Sequence, residues 1–354
     1  MRLLLLSFFA GILFTACNQS NENHEHATTE VSYDSTDATN DFYDNARTYS
    51  LPHPEGMVIE GEIQGNTTQR FSKLPKRSVI IKSTLLNRKT DSFIGAYQYS
   101  GYSLYDILNS VIIDKANKER FSPIIDLYVE IYNATGEKTV LSWGEIFYPT
   151  NRHTNIIATS VTPIIPSKTN EKWPIPEQSK LIVGTDLYTE RNLVNPVRIV
   201  VRSLKGNYPE KDQKTLYAPK VAIINGLKDT IEEFSRCSQE AEEISYPTVF
   251  YGRGRGIHGV TAFKGYPLKP ILQQYFPITA KKIQTGMFAI SAPDGYRAAF
   301  SYSEIMNRND QSEILLIDLQ KNTPDGRFRL FSSPDFFSDR AIKAVSTIKY
   351  YKIP

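Results

Sequence analysis

The chain has few of the residues from which metal sites and disulfide networks are built. Only two of its 354 residues are cysteine, Cys17 and Cys237, and two cysteines cannot form a disulfide framework. Histidine occurs five times, and no cluster of His, Asp or Glu in the part expected to fold has the spacing of metal ligands. The sequence therefore predicts no metal site.

An excess of charge of one sign is also absent. The chain carries 41 Lys and Arg against 38 Asp and Glu, a net charge of +3, whereas a nucleic-acid surface needs a concentrated basic face. No nucleic-acid partner is therefore predicted. The sequence shows no nucleophile elbow and no evident pair of carboxylates. No catalytic residue is predicted, and whether the protein is an enzyme is left open.

Long hydrophobic runs are lacking beyond the first residues. A short positive start precedes an apolar run over residues 3–14. This run is shorter than the roughly 20 residues of a membrane-spanning helix, but it suits the core of a signal peptide. It ends in Phe-Thr-Ala-Cys at residues 14–17, which resembles the bacterial lipobox. The resemblance implies a signal peptide over residues 1–16 and lipidation of Cys17, and the alternative is an ordinary signal peptide with an incidental cysteine.

The segment after the signal is polar and poor in aliphatic residues. Residues 17–50 are predicted to form the lipidated cysteine and a flexible tether, because this composition cannot bury a core. His24 and His26 lie in the tether and are interpreted as solvated. Acyl chains on Cys17 would hold the protein at a membrane. The predicted location is the bacterial cell envelope, in the periplasm or at the cell surface, with the membrane as a partner.

The rest of the chain contains an internal repeat. The segment Asp-Leu-Tyr-Thr-Glu-Arg at residues 186–191 recurs as Asp-Phe-Phe-Ser-Asp-Arg at residues 335–340. Further matches follow in the same order: Phe71 with Phe234, Gly101 with Gly265, Gly136 with Gly295, and Glu145 with Glu304. Matches that keep their order indicate a tandem duplication. We predict a first repeat over residues 51–205, a linker over 206–214 and a second repeat over 215–354.

Each repeat has the pattern of an α+β fold in which strands dominate. Alternating apolar residues predict strands such as residues 126–132 and 348–353, and a turn at residues 133–136 predicts a hairpin. The apolar spacing over residues 101–113 is typical of a helix with one apolar face. Its counterpart over residues 265–275 predicts a helix in the second repeat.

These repeated elements resemble those of the sulfite-oxidase-like, molybdopterin-binding domains. Gly-Tyr-Pro-Leu-x-x-Ile-Leu at residues 265–272 is similar to the Gly-Val-Pro-Leu-x-x-Leu-Leu element of that family. Residues 294–305 and 335–340 resemble its mid-domain hairpin and its closing segment. The resemblance implies two tandem sulfite-oxidase-like mixed α/β domains, rich in strands, after the signal and the tether. It also makes molybdopterin a possible cofactor.

The metal ligand of that family has no match in this chain. Its catalytic members bind molybdenum through a cysteine thiolate, a soft anionic ligand. The corresponding places, residues 81–83 and 250–252, hold no cysteine, and Cys237 lies too early and is interpreted as a buried core residue. No cofactor is therefore expected. The predicted function is a non-catalytic binding module for a small anionic ligand or a partner protein.

Two other functions stay open. One is a molybdopterin-dependent oxidoreductase that binds its cofactor without protein sulfur. The other is a structural role in which the second repeat contacts another envelope protein.

A glycine-rich loop that is present only in the second repeat is the candidate ligand-binding site. Alternating glycines allow backbone N–H groups to converge on an anion, and two arginines could clamp a phosphate or carboxylate. The alternative is a mobile loop with solvated arginines. The predicted ligand-binding residues are Gly252, Arg253, Gly254, Arg255, Gly256 and His258.

The repeated acidic and basic residues have a structural interpretation. Asp186 with Arg191, and Asp335 with Arg340, are predicted to form internal ion pairs or turn caps. Each repeat also has a serine three residues before a glutamate, Glu145 or Glu304. This spacing predicts a helix capping box rather than acid–base catalysis.

Overall fold

The computed structural model describes residues 47–86, 91–166, 171–209, 216–227, 229–237 and 242–354. The predicted signal peptide, Cys17 and the tether up to residue 46 lie outside the described residues, as do positions 210–215 around the predicted linker. Among the described residues, no helix is both long enough and apolar enough to cross a membrane.

The strand predicted over residues 126–132 is present, shifted by one residue, in the first repeat. Its turn residues, such as Gly136 with φ of +85°, adopt a backbone conformation that glycine reaches at little cost. The strands are β1 (Tyr49–Ser50), β2 (Gly56–Gly61), β3 (Thr67–Arg70), β4 (Lys76–Leu85), β5 (Ser92–Ser103), β6 (Leu127–Asn133), β7 (Lys138–Ser142), β8 (Asn155–Pro163), β9 (Lys180–Val183) and β10 (Pro196–Ser203). The helices are α1 (Leu104–Leu108) and α2 (Trp143–Phe147).

The second repeat has the same succession of strands except that it has no counterpart of β1 among the described residues. They are β11 (Val221–Asn225), β12 (Asp229–Phe234), β13 (Ile244–Gly252), β14 (Gly256–Pro267), β15 (Gly286–Ser291), β16 (Arg297–Ser301), β17 (Ile314–Thr323), β18 (Gly326–Ser332) and β19 (Thr347–Lys352). The helices are α3 (Leu268–Gln273), α4 (Ala280–Thr285) and α5 (Tyr302–Met306). The predicted hairpins of β6 with β7 and of β15 with β16 are present.

The strand order of the first two sheets recurs in the other two. The first sheet runs β1-β8-β5-β4, with β9 also paired to β8, and the fourth runs β13-β14-β17-β18. The second sheet runs β3-β2-β10-β6-β7, and the third runs β12-β11-β19-β15-β16. In both of these the closing strand of the repeat, β10 or β19, pairs parallel with the opening strand, β2 or β11.

The predicted fold class, two tandem sulfite-oxidase-like mixed α/β domains, is wrong. The described chain forms four small sheets in a four-bladed β-propeller arrangement, with 48% of residues in strands and 13% in helices. The helix expected over residues 101–113 shrinks to α1, because residues 101–103 continue β5 and pair with β8. Likewise β14 continues to Pro267 before α3 begins. Helices this short form no layer against the sheets.

Apolar side chains from the second and third sheets meet between the two repeats. We call this contact the seam. Its buried residues are Tyr128, Val140, Leu204, Met287, Ala289, Ala299 and Ile353. Each repeat also has buried clusters of its own. Since small alanines on β15 and β16 face larger side chains on β6 and β7, the two sheets can approach closely and interlock.

Candidate functional site

The predicted glycine-loop residues lie at the tip of the β13–β14 hairpin. Arg253, Arg255 and His258 are exposed there. The Arg253 Nε atom lies 3.4 Å from Asp339 Oδ2, and the His258 ring lies 5.6 Å from the ring of Phe250. The structure thus places these side chains on one hairpin, as the sequence implies.

The glycines of this hairpin differ in their surroundings. A Cβ atom added to Gly254 or Gly256 would meet no atom within 4 Å, whereas one on Gly252 would lie 2.6 Å from His258 Nε2. Gly256 has φ of +70°, which favours glycine in the turn. These glycines allow a tight hairpin, and the outer side of its tip is open.

Cys237 and the expected metal-ligand positions do not suit a molybdenum cofactor. Burial raises the pKa of the Cys237 thiol to about 12, so the sulfur stays protonated and is a poor metal ligand. The matching places hold Ser83, whose hydroxyl lies 3.3 Å from that of Thr189, and Gly252. No group of three His, Cys, Asp or Glu side chains suited to a metal occurs in the described part of the chain. We therefore assign no step to molybdopterin.

Arg191 is fully buried and contacts two carboxylates and a serine. Its Nη2 atom lies 2.6 Å from Asp186 Oδ1 and 2.7 Å from Glu145 Oε1. Its Nη1 atom donates to Ser301 Oγ at 3.1 Å. Asp186 and Glu145 belong to the same repeat as Arg191, but Ser301 belongs to the other.

Arg340 makes the equivalent contacts in the second repeat, and its hydrogen bond to the other repeat runs from the second to the first. Its Nη2 atom lies 2.5 Å from Asp335 Oδ1 and 2.7 Å from Glu304 Oε1. Its Nη1 atom donates to Ser142 Oγ at 3.2 Å. Each arginine therefore reaches the helix-capping serine of the other repeat. We call the two arginines with these four carboxylates and two serines the arginine network.

The structural interpretation of these residues is confirmed. Ser142 with Glu145, and Ser301 with Glu304, form complete capping boxes at the starts of α2 and α5. The Asp–Arg pairs are buried ion pairs inside each repeat. Sequence spacing could not show that the pairs also join the repeats. Gly144 makes room for this contact, since a Cβ atom there would lie 2.6 Å from Arg340 Cζ.

Carboxylates outnumber arginines in this network, and burial makes full ionisation costly. Burial raises the pKa of Asp186 to about 6 and that of Glu304 to about 7, against the opposing effects of Arg191 and Arg340. Burial also raises the pKa of Asp335. A fraction of these carboxylates therefore holds a proton near neutral pH, which lowers the negative charge of the network.

We expect Glu304→Gln to weaken the dependence of stability on pH. The pKa of Glu304 is about 7 in the folded protein, against its ordinary value of 4.5. Between these two pH values the folded protein therefore keeps a proton on Glu304 that the unfolded chain has released. This contribution to the free energy of unfolding is complete below the lower value and is lost as pH rises through the higher one. The loss is about 3.5 kcal/mol at most, since one pKa unit corresponds to about 1.4 kcal/mol. Urea unfolding from about pH 4.5 to about pH 7.5 measures it.

Two expectations show whether the change in slope comes from Glu304. Asp186 contributes a slope of the same sign, so the slope should decrease in Glu304→Gln without vanishing. Glu55→Gln changes an exposed side chain and should leave the slope as it is. An unchanged slope in Glu304→Gln would show that Glu304 does not titrate in this range.

A second buried ionic group joins the repeats at Asp126. Its Oδ1 atom lies 2.6 Å from Lys115 Nζ, and its Oδ2 atom lies 3.0 Å from Arg297 Nε. Arg297 comes from β16 of the second repeat and stacks between the rings of Phe121 and Tyr208, at 4.3 and 4.4 Å from their centroids. All three charged groups are buried, so each depends on the others for its stabilisation.

A cavity of about 450 Å³ opens at one edge of the seam. We call it the seam cavity. It is lined by strands of both repeats, and its ionisable lining side chains are Tyr128, Tyr132 and Tyr351, the cations Lys138, Arg202, Lys205 and Lys352, and the carboxylate Glu130. Four cationic side chains therefore face one carboxylate. A free α-carboxylate at Pro354, which also lines the cavity, would lower this excess by one charge.

Glu130 neutralises only part of the positive charge around the seam cavity. It lies 2.8 Å from Lys138 Nζ and 2.6 Å from Arg202 Nε, and Tyr132 donates a hydrogen bond to it. Burial opposes ionisation of Glu130, but the hydrogen bonds from Lys138 and Tyr132 and the positive charges of Lys138 and Arg202 together outweigh it and lower the pKa. Among the described residues, Lys205 and Lys352 form no ion pair. These two ammonium groups are available to a ligand.

A second cavity of about 240 Å³ adjoins the seam cavity and shares Leu204 and Lys205 with it. Arg120 and Arg297 add positive charge there, and Glu62 adds one carboxylate. The Glu62 carboxylate accepts hydrogen bonds from the backbone and side chain of Ser203, at 2.9 and 3.0 Å. Positive charge thus continues from one cavity into the next along Lys205.

The sequence analysis missed the seam cavity. Its four cations come from β7, from the end of β10 and the residues just after it, and from β19. No short sequence motif contains more than two of them. The only available signal was the position of Lys205 and Lys352 at the ends of matching strands of the two repeats. That signal becomes meaningful only when β10 and β19 are known to lie in sheets that pack together.

The comparisons with known proteins add no relative: the chain matches no family model, no curated protein and no solved structure.

Proposed function

We propose that this protein is an envelope-anchored lipoprotein whose folded part is a binding module for a small anionic ligand, held in the seam cavity. The observation that supports the proposal is the imbalance of charge around that cavity, where Lys205 and Lys352 have no carboxylate partner among the described residues. The anchor rests on the lipobox-like residues 14–17 alone.

The position of the cavity favours binding of an anion. Cations collected in a concave site with low-dielectric walls attract anions more strongly than the same cations on an open surface. Tyr128 and Tyr351 supply apolar ring surface with a hydroxyl group, which can orient a ligand as well as pack against it. Because β6, β7 and β19 are all paired strands, the backbone that forms the walls of the cavity is held in place before a ligand arrives, which limits the entropy lost on binding.

The proposal predicts that pyrophosphate binds and that seam lysines carry the binding. We expect the wild-type protein to bind pyrophosphate with a Kd of about 1 mM or lower at low salt, and Lys205→Ala with Lys352→Ala to weaken binding at least about tenfold, equivalent to about 1.4 kcal/mol. Raising the salt concentration should weaken binding further, because the contacts are partly solvated ion pairs. Isothermal titration calorimetry on the purified full-length protein measures both effects.

The β13–β14 hairpin supplies the matched control. Arg253→Ala with Arg255→Ala removes the same number of positive charges from a hairpin that does not line the seam cavity, and it should leave pyrophosphate affinity within about twofold. If the hairpin variant loses binding and the seam variant keeps it, the ligand site is the one predicted from the glycine loop. If neither variant changes the affinity, the seam cavity is not the site.

A further inference from the structure

A third cavity, of about 500 Å³, lies on the first sheet and away from the seam. Its floor is one face of that sheet. Tyr97 and Tyr99 lie two residues apart on β5, so both side chains point to this face, and both are buried. Lys180 begins β9 and shares the face with Ile182, which packs in the same cluster as the two tyrosines. The residue paired with Lys180 on β8 is Ala158, whose small side chain leaves room above it.

The roof of the cavity is an extended segment that begins at Trp173. The Trp173 Nε1 atom donates to the carbonyl of Ile164 at 2.7 Å, and the Tyr97 hydroxyl donates to the carbonyl of Pro174 at 2.9 Å. Trp173 also packs closely over Gly95, where an added Cβ atom would lie 2.8 Å from its ring. Two hydrogen bonds and this close contact hold the roof at a fixed distance from the sheet.

Two polar groups in this cavity have no partner in the part of the chain that the structure describes. The Lys180 ammonium is partly buried, and burial alone lowers its pKa, with no opposing contribution from a carboxylate. Glu177 also lines the cavity but is exposed and forms no ion pair with Lys180. The Tyr99 hydroxyl makes no hydrogen bond to a described residue, and burial raises the pKa of Tyr99, so it stays a donor. Lys180 and Tyr99 thus supply a desolvated cation and a free hydroxyl donor to the lining of one cavity, and both groups are suited to bind an anion.

Most of the other lining residues are apolar, and the polar exceptions are Ser83 and Gln178. Ile94, Ile175 and Val194 line the cavity beside the tyrosine rings and the two prolines of the roof. A ligand that fits these walls needs an apolar body, and one that satisfies Lys180 and Tyr99 needs a single anionic group at one end. Small hydrophilic anions would leave the apolar walls facing water, so they are poor candidates for this cavity.

We propose that this cavity binds an apolar monocarboxylate, whose carboxylate meets Lys180 and Tyr99 and whose body lies between the tyrosine rings and Ile175. The floor of this cavity differs from the corresponding surface of the second repeat. At the offset of 164 between Gly101 and Gly265, Tyr97 corresponds to Thr261, which is exposed. The cavity is built from other strands than the seam cavity, so this proposal does not depend on the proposed function.

The test uses 2-naphthoate and decanoate as probes with the purified full-length protein. We expect saturable binding of at least one probe by fluorescence or calorimetry. We expect Lys180→Met, which keeps the length of the side chain without its charge, to weaken binding of that probe at least about tenfold. The neutral analogue 2-naphthamide should bind wild type and Lys180→Met alike. Lys180→Arg should keep most of the carboxylate affinity, because it keeps the charge.

Additional measurements separate this site from the seam and from misfolding. Val194→Trp fills the mouth of the cavity without changing charge and should weaken 2-naphthoate and 2-naphthamide together. Excess pyrophosphate should not displace 2-naphthoate. Binding of decanoate alone would identify the class as aliphatic acids, and binding of 2-naphthoate alone as aromatic acids. The proposal is overturned if neither probe binds, if Lys180→Met binds the carboxylate as tightly as wild type, or if pyrophosphate competes.

Discussion

Replacing Arg340 with methionine should lower the free energy of unfolding by about 3–5 kcal/mol, the cost observed when one partner of a buried ion pair is removed. The change leaves Asp335 and Glu304 without their cation in a site where water cannot replace it. It also leaves Ser142 Oγ without the hydrogen bond from the other repeat. Urea unfolding followed by circular dichroism measures the change from the midpoint and slope.

Controls for this prediction come from both repeats and from the surface. Arg191→Met should cost a similar amount, because Arg191 makes the equivalent contacts to Asp186, Glu145 and Ser301. Lys220→Ala removes one partner of the exposed Lys220–Glu233 pair at 2.9 Å and should cost less than about 1 kcal/mol. A loss in Arg340→Met as small as in Lys220→Ala would mean that the arginine network does not stabilise the fold.

Replacing Asp126 with alanine should have an effect of comparable size, a loss of about 3–5 kcal/mol. Asp126 is the carboxylate between two buried cations, Lys115 and Arg297. Its removal leaves like charges facing each other without a counter-charge, in surroundings where the ammonium and guanidinium groups are poorly hydrated. Thermal and urea unfolding of the variant measure the loss.

A double substitution distinguishes lost charge balance from lost packing at this position. Lys115→Met alone should be destabilising, but Lys115→Met with Asp126→Ala should cost less than the sum of the two single changes, since it removes an anion and a cation together. Strict additivity of the two single changes would show that the Lys115–Asp126 pair carries no coupling energy. Asp126→Ala with wild-type stability would contradict the prediction directly.

Both ionic groups contain ion pairs within one repeat and also join the two repeats. Arg191 and Arg340 each reach across to a serine of the other repeat, and Asp126 of the first repeat pairs with Arg297 of the second. The apolar side chains of the seam add to these contacts. The cost of separating the repeats therefore includes exposing unpaired buried charge. This cost is the physical reason why the seam can hold its cavities in a fixed shape.

Local sequence pattern predicted the strands better than the helices. The strands around residues 126–132 and 348–353 appear as β6 and β19. Burial alternates along β19, as a pleated strand with one covered face requires, whereas β6 is buried at six of its seven positions. The helix over residues 101–113 was overestimated. Its apolar residues Leu104, Ile107 and Leu108 do face the core from α1, but the residues before them complete β5. Apolar spacing alone cannot tell where a strand stops and a short helix begins.

The glycine loop shows a related limit for the candidate site. Its composition predicted a tight turn, and the turn is present between β13 and β14. Composition could not tell whether the arginines face a cavity or solvent, since that depends on which elements pack beside the hairpin. Arg253 and Arg255 are exposed at its tip. The cations that do surround cavities, Lys205, Lys352 and Lys180, lie in segments with no distinctive motif.

The amino-acid sequence by itself determined the internal repeat, the capping boxes at Ser142 and Ser301, and the pairing of each Asp with an Arg five residues later. All of these depend on residues close together in the chain, where spacing sets geometry. Only the tertiary structure decided the exchange of contacts between the repeats, the charge imbalance of the seam cavity and the isolated position of Lys180. Those features bring together residues far apart in sequence, and their positions depend on strand register and sheet packing, which no local pattern encodes.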